Sequence, residues 1–429
     1  MSDASPPATT SARRNRWRRA LACAAIALLV ALVLFALALR IALRPEFATR
    51  LILRQAGAAL GLEITAGGPA GLRLRGTPEL VVRDVVAREP GSQRALLRAG
   101  RIAIAVPWST IRARGAALDA ERIELDAPVL DLPALQAWLA KRASGETRIP
   151  TLRKGLAIQR GQLLGGDWRL ERLQLDLPHL SADRAIAAHA AGRYRAATLR
   201  LDFDLQLAMA RPRLPAGVAA VGRIVPAGDD WRLPAWIHAS GPLREDRGLR
   251  LLPARVGLSG RYESGDNRLP FALGLHGPLL LRGATLAMAP AGIALRGQGA
   301  LPAFDARGAL AYGRRLLLRM DGRLPGWNEA WPALPPPVGQ SDAPLPFRLD
   351  YLGAADFGDV TRLRVSREGT RFEGRFRLPR ILAWADTTRA GSPLPPLQGR
   401  VTTPALEISG ARLEGVEVDF DDPVLDASP

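Results

Sequence analysis

The amino-acid sequence predicts a mainly β protein: an N-terminal transmembrane helix followed by an elongated, curled, repetitive antiparallel β-sheet, a β-groove, with a few short helices. Three observations predict it. The first is an uncharged run of 20 residues from Ala20 to Leu39, long enough as a helix to cross a hydrocarbon core about 30 Å thick. The second is alternation of apolar and polar residues along most of the remaining chain, the period of a strand with one dry and one wet face. The third is internal repetition, which stacks similar units on their neighbours and extends a sheet in one dimension.

The apolar run is preceded by Arg13, Arg14, Arg16, Arg18 and Arg19 with Trp17 among them, as expected of a cytoplasmic flank with an interfacial aromatic. Arg40, Arg44, Arg50 and Arg54 follow on the far side, so the flanking charge orients the helix only weakly. On this reading residues 1–19 are a basic stub, residues 20–39 the span, and the chain from residue 45 lies beyond the membrane. Ala36-Leu37-Ala38 fits a signal-peptidase site. Cleavage is therefore the alternative, although the run exceeds the roughly 7–15 apolar residues of a signal peptide.

After Pro45 the pattern predicts a short helix over Phe47–Leu60, stopped by Gly61. A second is predicted over Pro133–Arg142, where proline suits the first turn and Leu135, Trp138 and Leu139 form a stripe. Alternation is cleanest in Leu199, Leu201, Phe203, Leu205, Leu207 and Met209, with Arg200, Asp202, Asp204 and Gln206 on the other face. It recurs in Ile102, Ile104 and Val106, in Ile123 and Leu125, in Leu363 and Val365, and less regularly in Leu170, Leu173 and Leu175. The 42 Gly and 35 Pro punctuate these runs along the whole chain.

The repeat pairs Gly241-Pro242-Leu243, Pro253, Val256, Leu258 and Gly260 with Gly277-Pro278-Leu279, Pro290, Ile293, Leu295 and Gly297. A weaker one pairs Leu324-Pro325 and Trp327 with Leu378-Pro379 and Trp384. These divisions predict an N-terminal β region with short helices over 45–142, a repetitive groove over 143–325, a Pro-rich connection over 326–346, and C-terminal β repeats over 347–429. Two strands per repeat give on the order of 20 strands and a sheet about 100 Å long at ~4.8 Å per strand. Too few helices are predicted to cover its apolar face. The sheet must then close on itself, pair with a second sheet, or curl around something apolar. The candidate lining is Ile102, Ile104, Val106, Ile123, Leu125, Leu199, Leu201, Phe203, Leu205, Leu207, Val256, Leu258, Ile293 and Leu295.

The 57 Arg and two Lys exceed 41 acids and leave a net charge of +18. With 48% hydrophobic residues the chain is too apolar for a disordered polybasic tail, which argues against a nucleic-acid-binding linker. The excess of Arg over Lys is most simply read as codon usage in a GC-rich genome. Cys23 stands alone, so intrachain disulfides and cysteine-based zinc sites are excluded. His179, His189, His238 and His276 lack metal-ligand spacing. Gly257-Leu258-Ser259-Gly260 lacks the second spacer of a nucleophile elbow, and Gly297-Gln298-Gly299 has no third glycine. Asp419, Asp421 and Asp422 read as an acidic strand edge that discourages pairing. No catalytic residue, metal or cofactor is expected.

The segment from Leu60 to Leu139 resembles the N-terminal region of the AsmA-like family. The resemblance rests on the single anchor, a helix ending at glycine, Gly76-Thr77-Pro78-Glu79-Leu80-Val81-Val82-Arg83-Asp84-Val85, Ala95-Leu96-Leu97-Arg98-Ala99 before the strand at Ile102, and Ile123-Glu124-Leu125-Asp126-Ala127-Pro128-Val129-Leu130. Leu397-Gln398-Gly399 through Val418 is similar to the strands that end such proteins. The resemblance implies a single-pass protein of the bacterial inner membrane, N-terminus cytoplasmic and bulk periplasmic. Its apolar groove would pass phospholipid acyl chains toward the outer membrane. It also implies phospholipids, the inner membrane and an outer-membrane or periplasmic protein as partners, without nucleic acid or catalysis. A groove of this kind gains about 0.8 kcal/mol per buried methylene. The alternative expectation is a scaffold in a secretion or outer-membrane protein assembly system.

Overall fold

The computed structural model describes residues 57, 61–68, 71–73, 76–112, 119–141, 149–197, 199–246, 248–265, 267–282, 285–331, 341–387, 395–408, 410–422 and 425. The predicted transmembrane helix, its flanks Arg13, Arg14, Arg16, Trp17, Arg18, Arg19 and Arg40, and all but Gly57 of the helix expected over 47–60 lie outside the described residues. Among the described residues no helix is long and apolar enough to cross a membrane. The chain is mainly β, as the alternation predicts, and divides into two compact units, residues 1–237 with 243–247 and residues 238–242 with 248–429.

In the first unit β1 (Glu63–Ala66) and β2 (Gly71–Arg73) pair with β3 (Glu79–Arg88), which pairs with β4 (Ala95–Ala105). After the short helix α1 (Trp108–Arg112), β5 (Asp119–Ala120) leads into β6 (Arg122–Asp126) and β7 (Val129–Asp131), both laid against β4. Helix α2 (Leu132–Ala140) then falls where the proline and the apolar stripe predict it. Its N-cap is Asp131, whose Oδ1 accepts from the Ala134 N–H at 2.9 Å, while Arg94 donates Nε and Nη2 to the same carboxylate at 2.6 and 2.9 Å. The capped helix drives Leu135, Trp138 and Leu139 into a filled core with Val82, Val85 and Ile104.

The crossover through α2 brings the chain back to the end of the sheet at which β6 and β7 begin. Consequently β8 (Thr151–Leu152) runs parallel to β5, and β9 (Leu156–Leu164) parallel to β6 and β7. A parallel return requires a long crossover, here the helix, and at these pairs the structure departs from the expected all-antiparallel sheet. Strands β10 (Trp168–Leu177), β11 (Ile186–Ala196), β12 (Leu199–Met209) and β13 (Ala216–Ala227) then pair in succession, all antiparallel. They are followed by β14 (Trp231–Arg232) and β15 (Ala235–Glu245). The irregular alternation at Leu170, Leu173 and Leu175 has a local cause, since the ladder shifts register between these residues.

The second unit is a succession of antiparallel neighbours: β16 (Leu249–Ser264), β17 (Asn267–Arg282), β18 (Thr285–Gly297), β19 (Ala303–Tyr312), β20 (Leu316–Leu324), β21 (Leu345–Gly353), β22 (Thr361–Arg367), β23 (Thr370–Phe376), β24 (Leu397–Ile408) and β25 (Ala411–Phe420). Helix α3 (Leu378–Thr387) interrupts it before β24. One row of facing residues runs from Val256 through Leu275, Ile293, Ala306, Gly322 and Phe347 to Val365.

The stronger sequence repeat marks bulges. Register shifts fall at Leu251/Ala254, His276/Leu279 and Met288/Ala291, beside the cis peptides Leu252-Pro253 and Ala289-Pro290. A Cβ on Gly241 would lie 2.5 Å from the Pro253 carbonyl oxygen, and one on Gly277 2.3 Å from that of Pro290. The repeated glycine therefore admits the carbonyl of a proline-bearing bulge, and bulges bend and twist a strand. The weaker repeat does not form one structure twice. Trp327 and Trp331 meet edge-on at 4.9 Å in the loop after β20, whereas Trp384 belongs to α3.

Gly277 also has φ +155°, so Gly277→Ala should lower stability by about 1–3 kcal/mol, read from chemical unfolding. Gly326→Ala, with open space around the added methyl, should leave the midpoint unchanged.

Candidate functional site

Strands β10 to β13 carry an apolar face with an uneven relief. On β12, Leu199, Leu201, Phe203, Leu205 and Leu207 all fall on this face and are half-buried. Directly opposite on β11 stand small residues: Gly192 faces Phe203, Ala190 faces Leu205 and Ala188 faces Leu207. On β13, Ile224 faces Phe203, Gly222 faces Leu205 and Ala220 faces Leu207. The large side chains of β12 thus form a ridge with a shallow trough on either side. The trough over β11 is bounded on its far side by Leu170 and Leu175 of β10. At Gly192 the Phe203 ring leans across and forms the floor, since a Cβ there would lie 3.0 Å from it. The two ends of the trough differ. Ile186 stands at one and Tyr194 at the other, where the Tyr194 ring meets Trp168 at 5.7 Å between centroids.

Leu175 and Ile186 adjoin the core beneath α2, whereas Leu199 to Leu207 belong to no core cluster, and among the described residues no helix packs over them as α2 does over β4. Half-buried side chains on an uncovered sheet face leave apolar surface in contact with solvent, the condition that marks interaction sites.

The opposite face is held by cross-strand ion pairs. Asp202 accepts from Arg193 Nε and, at 2.7 Å, from Arg193 Nη2, with Arg172 Nη2 at 3.3 Å. Glu171 meets Arg169 and Arg195 at 2.7 and 3.2 Å, and His189 Nε2 lies 2.7 Å from Asp204 Oδ1. Hydrogen bonding from Arg193 holds the Asp202 carboxyl below its ordinary value, against a smaller opposing effect of burial. In the first sheet, hydrogen bonding from Arg122 does the same for Glu124, again against burial, with Arg101 adding to it.

The remaining predicted lining residues fall into different surroundings. Ile102, Ile104, Val106 and Ile123 are fully buried in the core beneath α2, and Leu125 is half-buried against it. Ile293 is buried in a second cluster with Met288, Ala291 and Phe347, while Val256, Leu258 and Leu295 are half-buried. Protein side chains fill the space in front of the first group, whereas Leu199 to Leu207 of β12, like Val256, Leu258 and Leu295, belong to neither core cluster. Sequence reading missed the troughs, because alanine and glycine carry little periodic signal. It also passed over a visible one, the pair Gly165-Gly166-Asp167-Trp168 and Gly228-Asp229-Asp230-Trp231. Both close as turns, the glycine N–H donating to the tryptophan carbonyl at 2.8 and 3.0 Å. In both, the indole lies where a glycine Cβ would stand, at 2.4 Å.

Fold and face together define a mainly β protein with an uncovered apolar sheet face and a charge-paired reverse. Comparison with protein-family models, curated proteins and solved structures finds no match to this chain. Among the described residues no group of His, Cys, Asp and Glu could hold a metal ion.

Asp202 has a depressed folded-state pKa, so its stabilising contribution is present above the ordinary value of 3.8 and is lost as pH falls through and below it. Partial exposure screens the pair. Asp202→Asn should therefore flatten the acid limb of the thermal midpoint against pH while changing the neutral midpoint little.

Proposed function

We propose that this chain is an inner-membrane-anchored periplasmic β-groove protein of the bacterial envelope that binds or conducts phospholipids, without chemistry of its own and without a cofactor. The carrying observation is the ridge-and-trough face of β10 to β13, apolar across four strands and covered by no helix among the described residues. An acyl chain in such a trough meets Leu, Ala and Phe and gains about 0.8 kcal/mol per buried methylene. Sliding along the trough exchanges one apolar contact for another and costs little. The 20-residue uncharged run with its arginine flanks supports an anchor at the membrane that supplies the lipid. The resemblance of residues 60–139 to the AsmA-like family supports the same reading, with a receiving partner at the outer membrane or in the periplasm.

One observation favours a scaffold that binds a protein partner. Val221 and Trp236 are 44% and 57% exposed, and Val221 faces Gln206 on the charged side of the sheet. A partner seated there would leave the apolar face unused, so the two readings separate by which face tolerates substitution.

Phe203→Asp and Leu205→Asp should each abolish phospholipid copurification, measured by lipid extraction and native mass spectrometry of detergent-free protein with far-UV circular dichroism unchanged. Asp202→Ala should retain the lipid. Equal lipid content in all three variants would sink the groove reading, and a lipid-free, folded wild-type chain would transfer the weight to the scaffold.

A further inference from the structure

The trough over β11 differs in charge between its two ends. At the Ile186 end lie three turns, 153–155, 178–185 and 210–215, which hold Arg153, Arg184, Arg211 and Arg213 against one carboxylate, Asp183, with Lys154 paired to Glu121. Arg153, Arg184 and Arg213 are exposed and make no ion pair among the described residues. The turns 153–155 and 178–185 are joined there, His179 Nδ1 lying 3.4 Å from the Arg153 carbonyl oxygen. Arg211 Nε donates to the Pro215 carbonyl at 3.2 Å and closes its turn.

At the Tyr194 end lie turns 165–167 and 228–230, which contain Asp167, Asp229 and Asp230 and no Arg or Lys. Trp168 and Trp231 follow directly, Trp168 against Tyr194.

An apolar trough with unpaired guanidinium groups at one end and an acidic, aromatic closure at the other is complementary to an amphiphile with an anionic head. From Ile186 to Tyr194 is about 26 Å at ~3.3 Å per residue, ample for an acyl chain that occupies about 15 Å, half of the ~30 Å hydrocarbon core. We infer that a glycerophospholipid lies along β11 with its phosphodiester at Arg184 and Arg213 and its acyl chain directed toward Tyr194 and Trp168. This rests on the lipid reading above and adds the lipid's orientation and the groups that select its headgroup. Guanidinium groups suit the assignment because they bond phosphate oxygens in pairs, whereas the carboxylates at the far end repel phosphate.

The test uses the full-length chain in detergent with two photoactivatable probes that share one acyl chain bearing a terminal diazirine: phosphatidylglycerol and diacylglycerol. Crosslinks from phosphatidylglycerol should map to the peptide holding Tyr194 or Trp168. In Arg184→Glu/Arg213→Glu, which spares Arg211 and its turn, the ratio of phosphatidylglycerol to diacylglycerol crosslinking should fall about fivefold or more. Because the readout is a ratio, a general loss of folding does not imitate the effect. Asp229→Asn/Asp230→Asn should leave the ratio unchanged. An unchanged ratio in the arginine variant, or crosslinks at Ile186 instead of Tyr194, would overturn the orientation while leaving a lipid groove in place. A wild-type chain that crosslinks neither probe would remove the groove reading and this inference with it.

Discussion

A β-strand presents its side chains to two sides in strict turn, and an antiparallel ladder keeps facing residues on the same side. Everything else in this protein depends on that constraint. Once Leu199 to Met209 commit β12 to one apolar face, the register aligns Ala188, Ala190 and Gly192 on one side of it and Ala220, Gly222 and Ile224 on the other. A shift by one residue would bring Asp202 and Asp204 onto the apolar face and strip Arg193 and His189 of their partners. The ion pairs of the reverse face and the relief of the apolar face are therefore two results of one register. Individually such exposed pairs contribute only about 0.2–1 kcal/mol, so they serve alignment more than stability.

The two ways of treating an apolar sheet face stand side by side within the first unit. Over β4 and β6 the chain spends a capped helix, Leu132–Ala140, and the result is a core in which Val106 and Ile123 are wholly enclosed. Over the ridge of β12 it spends none among the described residues. Away from Leu175 and Ile186, which adjoin the core, surface that one further helix could have buried stays outside both core clusters, and that gives the lipid reading its physical content. In the second unit the face is more filled, with Met288 fully buried among Ala254, Ala291 and Phe347.

Much of this was legible in the sequence, and the limits have physical causes. Large apolar residues at every second position marked β4, β6, β12 and β22, and Pro133 with Leu135, Trp138 and Leu139 marked α2. The same alternation could not say which faces a helix would cover, because Ile104 and Leu205 look alike along the chain and differ only in what packs over them. Parallel pairing of β6 with β9 was invisible for a related reason: it depends on where α2 returns the chain, a long-range outcome. The Gly241 and Gly277 repeat was visible as spacing, but its meaning lay in a close approach between a glycine and a proline carbonyl. Turn charges escaped attention because they mean something only after the topology has sorted the turns to one end of the strands or the other.

Pairing in the second unit follows chain order from β16 to β25, each strand bonded to its immediate predecessor and successor. Such an array has no fixed size. A hairpin removed from, or copied into, its middle returns the chain to the same place and direction, so both the face and the order of turns survive the edit. Length in a protein of this kind is a quantity that duplication can adjust in steps of two strands, and a gap to be bridged can be matched without designing a new fold.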